Sequence, residues 1–396
     1  MIEASVVASP RPLGDQIIQN WMLDPAIAFL NHGCFGARLR SVAEIQQRHR
    51  DRFEASPVQV LHFDRDEAIQ RAKESVGRFI GASPANFGFV TNATAGVNVV
   101  LRALSFQPGD ELLTINHVYN AVRMAMHMVG DRCGATPIEA RLPLPIASPR
   151  EVVDVVHRAI TKRTRLLIID HITSPTALVL PVHEIVALCN QHGVDVLIDG
   201  AHAPGMVELD VESIGAAYYA GNLHKWTCAP VGAGFLWARP DRQNGLHPLT
   251  ISHFLEEGFP HEFRWQGTRD ITPWLTVPAA IEFMEKQYGW AAVRRHNHQM
   301  AVWAHTMLCE KWDVEPISPL DGSMLGSMAT LRLPDVAGLQ RKYETPEALQ
   351  RELFERHRFE VPIVDWDGTW WLRVSCQVYN TADQYERLGD AVLELA

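Results

Sequence analysis

Residues 165–202 read RLLIIDHITSPTALVLPVHEIVALCNQHGVDVLIDGAH. Two short apolar runs, LLIID at 166–170 and VLID at 196–199, flank the helix-like VHEIVALCNQHG at 182–193. Neither run alternates apolar with polar residues, as a strand with one wet face would. Near-continuous runs suit parallel strands buried on both faces. A strand, a helix and a second strand in that order predict a parallel sheet covered by helices.

The alternation continues outward. ANFGFVTNATAGVNVVLRALSF (85–106) reads as strand, turn and helix, and PGDELLTINHVYNAV (108–122) repeats the pattern. Asp64 to Ile80 places Ala68, Ile69, Ala72, Val76 and Phe79 on one helical face. SPREVVDVVHRAI (148–160) predicts a helix before the 166–170 strand. After residue 275 the pattern changes. One long connector helix is expected from Pro278 to Met307, then a smaller α+β unit with strands SMATLRL and WWLRVS and a helix at PEALQRELFERH. His296-Asn297-His298 is expected on the helix surface. The expected division is an arm at 1–30 packing toward the small domain, a large domain at 31–277, and a connector with a small domain at 278–396. The first 20 residues or so are expected to be mobile.

The chain has 396 residues, 47% hydrophobic and 21% charged, as for an ordinary globular enzyme. Its 36 basic and 46 acidic residues leave a net charge of −10, which argues against nucleic acid or an anionic membrane surface as partner. The six cysteines form no CxxC pair and no zinc spacing, so no metal site is expected. Isolated thiols, no leader-like start and no 18-residue apolar run suit a cytoplasmic protein without a membrane span.

Residues 220–234 read AGNLHKWTCAPVGAG. Lys225 lies between two strand-like segments, SIGAAYYAGN and GAGFLWA. A lysine is ordinarily a solvated surface residue. Held between buried strands, it is costly unless its charge is removed or used. Desolvation lowers a lysine pKa and frees the amine as a nucleophile for Schiff-base chemistry.

In a parallel α/β sheet, ligands bind at the carboxyl ends of the strands. TNATAGVN opens a helix there; Thr94 is either its cap or part of an anion cradle. Asp199 ends VLID, as a turn former or as the partner of a buried cation. His171, Thr173 and Ser174 follow the 166–170 strand, and His117, Tyr119 and Asn120 follow ELLT. A phosphate cradle, a carboxylate, an aromatic platform and a reactive lysine together match the needs of pyridoxal 5′-phosphate. Arg373, inside the apolar WWLRVS, needs an anion, either a substrate carboxylate or a protein acid.

The order TNATAGVN, INHVYNA, DGAH, GNLHKW, WQGTRD and WLRVSCQVYNT resembles the class V aminotransferase family of pyridoxal-phosphate enzymes. LNHGCFG and HKWTCAPVGAGFL resemble its isopenicillin N epimerase-like branch. The resemblance spans roughly residues 28–380. It implies an aspartate-aminotransferase-like α/β fold, with a mostly parallel mixed sheet in a large domain and a smaller C-terminal α+β domain. Lys225 resembles the Schiff-base lysine and Asp199 the pyridinium partner. His202 and Ser174 match positions near the cofactor 3-hydroxyl. Ala93, Thr94, Asn222 and His224 resemble the phosphate cradle. Thr268 resembles a phosphate ligand donated across a homodimer interface. His117 or Tyr119 matches the ring-stacking position. Arg373 matches the substrate carboxylate clamp, and Asn31, His32 and Gly33 the loop lining the substrate side.

The implied chemistry is proton removal at Cα of a small amino-acid substrate. Epimerisation is the leading expectation. C–S lysis of a cysteine derivative follows, then transamination. Epimerisation needs a second acid–base group, for which His32, His117 and Tyr119 are the candidates. The stretch before Arg373, FERHRFEVPIVDWDGTWWL, holds no cysteine, which argues against a persulfide-forming desulfurase. An inactive scaffold is disfavoured because Lys225, Asp199 and Arg373 are all present.

Overall fold

The two apolar runs are adjacent strands at the centre of the large sheet. A computed structural model describes residues 9–14 and 17–396; half of the arm expected to be mobile lies outside the described residues, and its end, Ile17–Asn20, is a short helical turn with Ile17 buried. Seven of the described strands form the large sheet: β1 (Phe87–Val90), β2 (Glu111–Ile115), β3 (Thr136–Ala140), β4 (Thr164–Asp170), β5 (Asp195–Gly200), β6 (Tyr218–Asn222) and β7 (Gly234–Ala238). Their spatial order is β1-β7-β6-β5-β4-β2-β3. β7 runs antiparallel to both its neighbours, and every other pair is parallel. Leu166–Asp170 and Val196–Gly200 are buried throughout, as strands sandwiched between helices must be.

Two apolar layers cover the sheet. One contains Val76, Ile169, Ile198 and Phe235; the other contains Val97, Val100, Ile168 and Leu197. Alternate residues of one strand thus feed opposite layers. The helix at Ala93–Ala103 begins where Asn92 accepts a hydrogen bond from Ala95 N–H at 2.9 Å. That is an ordinary N-cap, and the cap is Asn92 rather than Thr94.

The expected single connector helix is two helices, Thr272–Gln287 and Trp290–Trp312. Gly289, at φ 74°, donates to Met284 and Glu285 carbonyls and ends the first helix. A helical apolar pattern cannot reveal such a left-handed stop, but a glycine after the last turn can. His296 and Asn297, expected on the surface, are buried, and Asn297 donates to Gln377 Oε1 at 2.9 Å. The second helix packs on both the small-domain sheet and the C-terminal helix, so little of its polar face meets water.

The smaller sheet holds β8 (Met328–Arg332), β9 (Ile363–Trp366) and β10 (Thr369–Ser375), in the order β9-β10-β8. It has its own core, with Leu331, Leu353, Leu372 and Tyr385. A two-residue strand at Ala28–Phe29 pairs in parallel with Phe359–Glu360, and Ala28 and Leu30 belong to this core.

Candidate active site

The carboxyl ends of β1, β4, β5 and β6 border one cavity of about 320 Å³. Thr91, Asn92 and Thr94 enter from the turn after β1, Tyr119 from the turn after β2, and Asp170 and Ser174 from the end of β4 and the turn beyond. Asp199, Ala201 and His202 come from β5 and its turn, and Asn222, His224 and Lys225 from β6 and the loop that follows. The strand-end convergence expected from sequence is therefore what the fold builds.

Lys225 is partly buried. Desolvation, aided by the Arg373 charge, lowers its pKa to about 8. Its Nζ lies 3.2 Å from His202 Nε2, and Trp226 Nε1–H donates to His202 Nδ1 at 3.4 Å. Burial and the neighbouring cations hold His202 well below the usual histidine range. Asp199 accepts from Ala201 N–H at 2.9 Å, and burial raises its pKa.

The Arg373 question has a structural answer. Its Nη1 donates to Ser174 O at 2.6 Å and Ser174 Oγ at 3.2 Å, while its buried Nε has no partner. None of the described ion pairs includes it. A buried guanidinium without a protein carboxylate has unmet capacity for an anion.

At the opposite end, Asn222 Oδ1 accepts from Ala93 N–H at 2.8 Å. The Ala93 amide, expected to cradle an anion directly, instead orients Asn222. The Thr94 N–H remains a first-turn donor without a carbonyl inside its own helix. His224 Nδ1–H donates to Ala233 O at 3.2 Å, and burial lowers its pKa to about 4. A neutral ring of that tautomer offers only a lone pair at Nε2, so His224 must gain a proton to donate to an anion.

The structure separates several residues from the cavity. His117 is fully buried; its Nε2–H donates to Leu142 O at 3.2 Å and its Nδ1 pairs with Thr176 Oγ1 at 2.8 Å. Trp366 stands edge-on at 4.5 Å. The ring is a satisfied core histidine here, and Tyr119 is the aromatic residue that borders the cavity. His32 is also fully buried. Its Nε2–H donates to Lys225 O at 3.1 Å and its Nδ1 pairs with Tyr379 OH at 2.8 Å, which braces the Lys225 backbone. Gly33 N–H donates to Ser375 Oγ at 3.0 Å, and Asn31 is buried beside it. The short His32–Phe35 helix instead presents Cys34 and Phe35 to the cavity. Thr268 is exposed and does not border its own chain's cavity.

Sequence reasoning missed Cys34, Phe35, Thr91 and Asp170. For Asp170 a signal existed, because LLIID and VLID both end in aspartate, and Asp170 is the register partner of Asp199.

A lysine-bearing cavity at the carboxyl edge of a mostly parallel sheet, whose wall residue Ser174 is held by an arginine from a second, smaller sheet, defines an α/β enzyme. Residues 42–388 match the class V aminotransferase family model, and the chain belongs to that family. It is 34% identical over 397 residues to isopenicillin N epimerase of Amycolatopsis lactamdurans, covering 94% of this chain and 96% of that protein. It is 31% identical over 401 residues to an L-cysteine desulfhydrase of Arabidopsis thaliana, covering 93% and 88%. Its fold is similar to that of the cystine C–S lyase C-DES, at TM-score 0.77 and 19% identity over 92% of this chain and 97% of the other.

Proposed function

We propose that this chain is a pyridoxal-phosphate enzyme that removes the α-proton of a small amino acid, with Lys225 as the base. The observation that carries the reading is the pairing of a desolvated Lys225 with Arg373, a buried cation lacking a protein anion. One group takes a carbonyl or a proton; the other takes a carboxylate.

The residues fit the cofactor. Thr94, Asn222 and a protonated His224 supply donors for a phosphate, Asp199 supplies a carboxylate for a ring nitrogen, and His202 and Ser174 supply polar contacts near the amine. Bound pyridoxal phosphate supplies an electron sink for the charge that develops at Cα. The chain's own residues do the rest. Arg373 orients the substrate carboxylate, Lys225 holds or moves the proton at Cα, and His202 keeps the amine directed into the cavity.

Epimerase-like return of the proton to the other face requires a second group. Tyr119 borders the cavity and takes that role in the leading reading. The C–S lyase reading is favoured by a separate observation: two of the three expected second-face groups, His32 and His117, have both ring nitrogens engaged elsewhere. β-Elimination needs only Lys225 and a leaving group with an acid such as Tyr119. Relatives named for each reaction lie at comparable distance.

A homodimer completes the proposal. Thr268 is exposed, and so are the apolar Val58, Phe63, Ile251 and Leu255, which suits a second copy of the chain receiving Thr268 at its cavity. Six unpaired thiols suit a reducing cytoplasm, and none of the described helices is long and apolar enough to cross a membrane.

The test is incubation of cofactor-loaded protein with L-amino acids, cysteine S-conjugates and isopenicillin N in D₂O, followed by NMR. α-Deuteration with inversion and no pyruvate identifies an epimerase. Pyruvate with a released thiol identifies a C–S lyase. No exchange with any amino acid sinks the reading.

A further inference from the structure

Asp170 and Asp199 end neighbouring parallel strands and are register partners, so both carboxyl groups project from the same side of the sheet edge. Both residues are 3% exposed, and both border the cavity. Their surroundings differ. Asp199 accepts from Ala201 N–H. Asp170 Oδ2 is buried with no hydrogen-bond partner. A charged oxygen stranded in that position bears the full cost of lost hydration, whereas a neutral carboxylic acid does not. Two buried carboxyl groups side by side do not both ionise.

We propose that Asp170 is a positioning residue that keeps its proton, confines the negative charge of the site to Asp199, and presents a neutral donor to the cofactor cavity. Burial and the Asp199 charge both push the Asp170 carboxyl well upward, and they outweigh backbone hydrogen bonds from Tyr119 and Asp170 itself and the Lys225 charge, which pull the other way. The other titratable groups around the pair do not offset this. His171, next along the chain, bonds Tyr219 OH and is held neutral by burial, and His202 is likewise neutral. A single charge is what a protonated ring nitrogen of the cofactor can neutralise; two would leave an unpaired buried anion.

The inference rests on the cofactor reading above, and its test separates the two. Infrared spectra of the cofactor-free protein at neutral pH should show a neutral-carboxyl C=O band that is lost in Asp170→Asn. Asp170→Asn keeps a neutral donor, so it should hold pyridoxal phosphate within about threefold of the parent affinity. Asp199→Asn should lose about tenfold or more, because it removes the charge. If the wild-type protein has no neutral-carboxyl band, the proposal is overturned without any variant. It is also overturned if Asp170→Asn loses the cofactor as Asp199→Asn does. Failure of the wild-type protein to bind pyridoxal phosphate would count against the cofactor reading alone.

Discussion

Lys225 Nζ and His202 Nε2 stand 3.2 Å apart, and Trp226 fixes which of them holds the proton between them. Because the indole N–H of Trp226 donates to His202 Nδ1, the neutral imidazole carries its hydrogen on Nε2. That hydrogen points at Lys225 and needs a lone pair there, which only the uncharged amine has. The hydrogen-bond chain therefore favours the nucleophilic form of Lys225, in the same direction as its desolvation.

The capture of a carbonyl group by Lys225 should follow this protonation. Its pKa lies near 8, below the ordinary lysine value, so the reactive fraction rises as pH rises through about 8 and levels off above it. Stopped-flow capture of pyridoxal phosphate by cofactor-free protein measures the midpoint. A midpoint near that of a free lysine would show that the amine is not desolvated.

Borohydride reduction of the loaded protein should attach the cofactor to Lys225, and Lys225→Ala should lose both that modification and the visible absorbance of the bound cofactor. Peptide mass spectrometry reads the first and a spectrum the second. Modification at a different lysine would move the role elsewhere.

Arg373→Ala should impair amino-acid substrates by roughly 2–5 kcal/mol in kcat/KM, the usual cost of removing one partner of a buried charge pair. The loss should fall mainly on KM, and primary amines lacking a carboxylate should be unaffected. An unchanged KM across amino acids would refute the clamp.

His117→Ala should act on stability rather than chemistry. The ring is fully buried with both nitrogens engaged, so its removal should cost about 2–4 kcal/mol and lower the melting temperature. Activity per folded molecule should persist. A collapse of kcat at unchanged melting temperature would return the ring to the cofactor.

Much of this architecture is legible in the chain because strands buried on both faces leave unbroken apolar runs. LLIID and VLID identify the sheet centre, and the polar residues just past such runs sit at its edge. Lys225, Asp199 and His202 could be found this way. What a residue does at that edge is less legible. His32 and Tyr119 look equally available in sequence, yet His32 turns inward to Lys225 O while Tyr119 borders the cavity. Helical orientation of a single turn decides this, and no periodicity reports it. His296 shows the same limit, since its burial comes from the lobe packed against its helix. Asp170 was overlooked because it reads as the last residue of a strand.

The N-terminal segment ties the two lobes mechanically. Ala28–Phe29 pairs with Phe359–Glu360 in the small lobe, and three residues past Phe29, His32 grips the Lys225 carbonyl. At Gly36, with φ 73°, a Cβ would stand 2.1 Å from His224 O, so the segment is threaded directly against the Lys225 loop. The segment thus joins the small sheet, which carries Arg373, to the backbone of Lys225. With Arg373 as the proposed substrate clamp, a graft that exchanged the first 40 residues for a looser leader should change the KM for amino acids and the midpoint of carbonyl capture by Lys225 together.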